Sequence, residues 1–173
     1  TWTRETMKYY PNAKYTLLEP QENLKSSFED LLKSPDINYF ACGAGAQSGE
    51  FKFTIVDRDD SCSFRFTEEE AEANGYEQRV VPVITINELI KENNLSVPDI
   101  VKIDAEGNDL DVLRGCSELF GKTEVFMVEA AVVNKLFKNS VYEILKFMYS
   151  NGYNLFEITD MNRPLKVKAW VSH

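Results

Sequence analysis

Apolar residues recur along this chain in two rhythms. Short alternating or continuous runs mark strands, and three-to-four spacing marks helices with one buried face. Residues 3–10 read as the end of a helix stopped before Pro11. "KYTLLEP" is a short apolar strand. Residues 21–33 carry Leu24, Phe28, Leu31 and Leu32 on one face, which predicts a helix ended by Ser34-Pro35. "INYFACGAG" is a second strand. "GEFKFTIVD" alternates, and "SCSFRF" is its expected hairpin partner. "TEEEAEANG" reads as a solvated loop or short surface helix.

The second half repeats the strand-then-helix order. "VVPVITINELIKENN" is a strand turning into a helix, with Thr85 and Glu88 in the T-x-x-E capping pattern. "DIVKIDAEG" is a strand, followed by a helix over 108–120 with Leu110, Leu113 and Cys116 on one stripe and Gly121 as its C-terminal cap. "EVFMVEA" is a further strand. Ser140 and Glu143 open a helix that stops at Asn151-Gly152. "YNLFEI" and "LKVKAWV", joined by the short "TDMNRP" turn, are expected as an antiparallel pair. Alternating strands and helices, with central strands apolar on both faces, predict an α/β domain with a mostly parallel sheet covered on both sides. Nothing suggests an internal repeat or a second domain, so residues 1–173 are read as one unit.

Composition narrows the chemistry. Of 173 residues, 43% are hydrophobic, enough for a sizeable core. Acids outnumber bases by 28 to 19, a formal charge of -9, which argues against a general nucleic-acid binder. No run approaches the roughly 18 apolar residues of a membrane span, and the opening residues lack the apolar core of a secretory signal; the expectation is a cytoplasmic protein. Cys42, Cys62 and Cys116 are scattered, with no CxxC pair to hold zinc. The one histidine is His173, which removes histidine-dependent triads and His-rich metal sites. Proton transfer must then fall to carboxylates, Lys, Tyr or water.

Four carboxylates stand out. Asp104 and Glu106, in "KIDAEG", lie where a central strand runs into a helix, and ligands of open α/β sheets bind at strand carboxyl ends. Alternation puts Lys102 and Asp104 on one side of that strand, and such charges are costly there unless paired or used. Helix capping explains Asp104 poorly, because Asn108 and Asp111 already supply a cap. Glu129 ends the next strand and would converge with Asp104 if the two strands are neighbours. Together these acids would suit a general base or Mg²⁺, though a structural role for Glu129 weighs equally. Glu19 ends an earlier strand and suits a ribose-binding acid or a plain surface carboxylate. "GAGAQSG" is followed by strand-like "EFKFTIV" rather than a helix, which argues against a dinucleotide loop.

The run "PDIVKIDAEGNDLDVLRGCSELF" with downstream "EVFMVEA", and the upstream "YTLLEPQENL", resembles the FkbM family of S-adenosylmethionine-dependent methyltransferases. The match extends from about Tyr15 to Ala130. The resemblance implies a Rossmann-like class I methyltransferase sheet with a last antiparallel strand. It implies that Glu19, with Pro20, binds the ribose hydroxyls of S-adenosylmethionine. Cys42, Gly43 and Ala44 would lie beside the adenine, with Asp104 near the methionine end. Acceptors of similar proteins are hydroxyls of sugars, glycolipids or polyketides. Ala44 stands where similar proteins often have an acid, so a hydrogen bond to the adenine amine would be missing. The family's first strand and glycine-rich loop precede its first helix, whereas "TWTRETMKYYPNAKYTLLEP" reads as that helix already under way. A further strand and G-x-x-x-G-like loop before Thr1 are therefore expected.

The leading expectation is an O-methyltransferase using Asp104 and Glu129 catalytically and Glu19, Pro20, Cys42, Gly43, Ala44, Asp104 and Glu106 toward the cofactor. The competing reading is a non-catalytic Rossmann-like partner domain that has lost cofactor chemistry. A nicotinamide-dependent oxidoreductase is disfavoured by the lack of a strand-loop-helix glycine fingerprint. Acceptor specificity would reside in residues 57–78 and in "VVNKLFKNS" after Glu129.

Overall fold

The computed structural model describes residues 2–56, 64, 66–131 and 140–159. Helix α1 (Trp2–Tyr9) leads into β1 (Tyr15–Leu18), which pairs in parallel with β2 (Ile37–Phe40), Tyr15 opposite Ile37 and Leu18 opposite Phe40. The helix expected over 21–33 is replaced by two 3-10 segments, Glu22–Ser27 and Leu31–Lys33. Local hydrogen bonding explains the difference. The Ser27 hydroxyl donates to the Leu24 carbonyl at 2.7 Å and so satisfies it within a tighter turn. Arg4 from α1 then clamps this break, donating to the Ser27 carbonyl at 2.8 Å and pairing with Asp30. Phe28 turns onto the ring of Tyr39, 5.3 Å away edge-on.

A second sheet places β5 (Glu77–Ile84) between β3 (Gly43–Ala44), which runs parallel to it, and β4 (Gly49–Ile55), which runs antiparallel. β4 pairs with β5; most of "SCSFRF", its expected hairpin partner, lies outside the described residues, and Phe64 and Phe66 belong to no described strand. The acidic run does form a short surface helix, α2 (Glu68–Asn74). Its N-terminus carries a capping box between Thr67 and Glu70, and Gly75 ends it at φ 70°. Phe53 and Val81 form a small core here, with Phe64 edge-on to Phe53 at 4.8 Å.

The third sheet is β6 (Ile100–Ile103) and β7 (Val125–Val128), parallel and in register from Ile100–Val125 to Ile103–Val128. Around it lie α3 (Ile86–Glu92), α4 (Asp109–Arg114) and α5 (Val141–Ser150). The main core joins Ile103 of β6 to Leu110, Val112 and Leu113 of α4, to Cys116 and Leu119 beyond it, and to Ile144 and Met148 of α5. The helix expected over 108–120 stops at Gly115 and resumes as a 3-10 turn, Ser117–Leu119. The Thr85 hydroxyl accepts the Glu88 amide, as the capping pattern predicts, but the Glu88 carboxylate does not close the box. Ser48 takes that place, accepting the Thr85 amide at 2.9 Å and donating to Glu88. Ser140 caps α5 through the Glu143 amide at 3.3 Å.

Parallel pairing is thus present, but among the described residues no strand joins the three sheets. "YNLFEI" forms no described strand. Tyr153 anchors it, its hydroxyl donating to the Thr123 carbonyl at 2.6 Å and accepting the Gly121 amide at 3.1 Å. Beyond that anchor the segment is exposed, with Phe156 98% accessible. "LKVKAWV" lies outside the described residues, and so does most of "VVNKLFKNS".

Candidate active site

The parallel register of β6 and β7 ends both strands at one level, so the residues that follow them meet. One oxygen from each of Asp104, Glu106 and Glu129 lies within 4.8 Å of the others. The Glu129 amide donates to the Ile103 carbonyl at 3.1 Å, which continues the ladder one step and fixes Glu129 beside Asp104. Lys102, two residues before Asp104 on the same side of β6, forms an ion pair with it.

The environment drives the two facing acids apart. Burial pulls Asp104 upward, but hydrogen bonds with Lys102 and Glu129 and the Lys102 charge outweigh it, so Asp104 sits below its usual range. Burial, the hydrogen bond with Asp104, and the charges of Asp104, Glu106 and Asp109 push Glu129 up to about 7. The pair therefore holds one shared proton below neutrality, with the proton on the Glu129 side. Lys102 already neutralises Asp104, which leaves a divalent ion two carboxylates rather than three; the arrangement fits a proton site better than an Mg²⁺ site.

The turn that carries Asp104 and Glu106 is unusual. Glu106 has φ 47° and Gly107 φ 101°, two consecutive residues in the left-handed region. The expected Asn108–Asp111 cap is absent. Asn108 occupies the N-cap position of α4 without a side-chain cap bond, its Nδ2 is buried without a partner, and Asp111 pairs with Arg114 at 2.5 Å. Asp109, which the sequence reading passed over, is 1% exposed and receives the amides of Ala105 at 3.0 Å and Gly107 at 3.2 Å.

Glu19 and Pro20 follow β1, and Cys42 follows β2, so these residues gather at the carboxyl ends of the other parallel pair. Glu19 is half-buried; desolvation raises its carboxyl, partly offset by the Gln21 amide, which donates to it at 2.8 Å. Cys42 lines a cavity of about 360 Å³ with Phe40, Val83, Ile84 and Leu89. Gly43 lies against the ring of Phe64, where a Cβ would sit 2.7 Å from it. Ala44 packs on the main core, and the Gly45 carbonyl abuts Gly115 so closely that a methyl there would overlap it. The 43–45 segment thus runs from Cys42 to the C-terminal end of α4. Buried Cys116 is inert: burial lifts its thiol to about 12.

Glu19 is not among the residues that line the Cys42 cavity, whose walls also carry Ser48, Glu88, Glu92 and Asn93; its volume is at the small end of ligand-pocket sizes. No helix among the described residues is long and apolar enough to cross a membrane. The sequence matches the family model of the Methyltransferase FkbM domain over residues 3–155. No curated protein and no solved structure matches it.

Proposed function

The chain belongs to the FkbM methyltransferase family, and is thus an S-adenosylmethionine-dependent methyltransferase; on that premise we propose O-methylation of a sugar, glycolipid or polyketide-type hydroxyl by a single domain over residues 1–173. Glu19, beside Pro20, receives the ribose hydroxyls. Cys42, Gly43 and Ala44 border the adenine, and Asp104 and Glu106 face the methionine end. The bound cofactor supplies a methyl already activated by a sulfonium. The chain's own task is to align the acceptor oxygen and take its proton.

The Asp104–Glu129 pair carries this reading. A base works best when its pKa lies near the working pH, and Glu129 is held at about 7 by its neighbours. Ionised Glu129 would take the proton of the acceptor hydroxyl held beside it. Asp104, kept ionised by Lys102, then shares that proton. A polar, ring-shaped acceptor is supported by the second cavity, about 360 Å³, where Phe51, Phe64 and Phe66 lie beside Lys52 and Glu69. Aromatic faces with adjacent polar groups suit a sugar.

The test is calorimetry of the intact protein with S-adenosylmethionine, then transfer of labelled methyl to a panel of sugars. Binding in the micromolar range is expected, with transfer abolished by Asp104→Ala in a folded protein. Binding no tighter than millimolar, or wild-type transfer in Asp104→Ala, would remove the reading.

A further inference from the structure

Among the described residues Asp109 is the one buried charged side chain. Burying a carboxylate is costly unless it is well hydrogen-bonded, so its partners indicate what it is for. It does not cap its own helix: the Asp111 and Val112 amides donate to the Asn108 carbonyl, at 2.9 and 3.0 Å. Two of its partners lie upstream. Oδ1 takes the Ala105 amide and Oδ2 the Gly107 amide. Those amides flank Glu106, the residue held at φ 47°. A left-handed non-glycine residue needs its surroundings to hold it, and a bidentate carboxylate on both neighbouring amides does so. Leu110, Val112 and Leu113, which follow Asp109 in α4, are buried in the main core. The carboxylate is therefore mounted on a helix anchored in the main core and grips the turn next to it.

We propose that Asp109 is the positioning residue of the site, fixing the turn that presents Asp104 and Glu106. The inference rests on the reading of that turn as part of the cofactor site. Asp109 touches neither cofactor nor acceptor; it acts through the two amides.

The test compares Asp109→Asn with Asp104→Ala in the intact protein, measuring S-adenosylmethionine affinity by calorimetry and the Ala105 and Gly107 amides by NMR. The asparagine keeps the shape but turns an NH₂ toward one of the two donors. The amide that faces the NH₂ should lose its downfield shift and exchange faster than its partner. Cofactor affinity should fall roughly ten- to hundredfold, the worth of charge-assisted bonds. If Asp104→Ala leaves affinity unchanged, it is the cofactor-site reading that fails, and the amide signals alone decide for Asp109. If Asp104→Ala weakens binding while folded Asp109→Asn, with an amide released, binds as wild type, the positioning role is overturned. Should Asp109→Asn not fold, the wild-type amides decide: slow exchange at Ala105 and Gly107 supports the role, and unprotected exchange in the folded protein refutes it.

Discussion

Gly115→Ala sets two effects of opposite sign against each other. Gly115 has φ -72°, an ordinary helical value, so nothing about its backbone demands glycine. On conformational grounds alanine should stabilise by about 0.4–1 kcal/mol, by restricting the unfolded chain. The added methyl, however, would overlap the Gly45 carbonyl and lie 3.3 Å from the Val112 carbonyl. Neither obstacle is a flexible side-chain end. Gly45 is held by its amide, which donates to the Ile84 carbonyl at 3.2 Å, and Gly115 by its carbonyl, which accepts the Asn87 amide at 3.1 Å. Overpacking of this kind costs about 1–3 kcal/mol. The overlap wins, for a net loss of about 1–2 kcal/mol, or a fall in Tm of roughly 2–8 °C for a chain of this size. Because the displaced segment carries Gly43 and Ala44, S-adenosylmethionine affinity should fall as well. Thermal unfolding with calorimetry checks both. A Tm at or above wild type would mean that the segment yields freely and that close approach does not require glycine at 115.

Two further outcomes follow from the carboxylates. Glu129 has its folded-state pKa raised from 4.5 to about 7, so between these values the folded protein holds a proton that the unfolded chain has released. Stability should therefore fall as pH rises from about 4.5 to 7, by about 1 kcal/mol once solvent screening at this exposed position is allowed for. Glu129→Gln should flatten that slope in pH-dependent melts and abolish the rise of methyl transfer through pH 7; an unchanged slope and rise would exclude Glu129. At the other end of the site, Glu19→Gln should weaken S-adenosylmethionine binding roughly tenfold through a lost charge-assisted acceptor, and calorimetry showing undiminished affinity would remove Glu19 from the cofactor site.

What could be read early was whatever repeats locally. The apolar runs located β1, β2, β6 and β7, and the T-x-x-E and S-x-x-E patterns located the starts of α3 and α5. Asp104 and Glu129 were legible because each ends such a run. Errors arose where a distant group intervened. The helix expected over 21–33 did not anticipate Arg4 reaching Ser27 and Asp30. The capping box at Thr85 did not anticipate Ser48, which is 37 residues away. Asn108 and Asp111 matched a capping pattern, yet Asp109 proved to be the engaged acid, and it engages the preceding turn. The one hint was local: a glycine and an acid two residues later, just after a strand.

The order of elements, the family motif "KIDAEG" and the lack of any histidine but His173 were determined by the sequence itself, because each depends on residue type and spacing along the chain. The meeting of Asp104 with Glu129, the lift of Glu129 to about 7, the grip of Asp109 and the reason for a glycine at 115 were decided by tertiary structure. Each depends on distances between segments that separate in sequence, and on water excluded only once those segments pack.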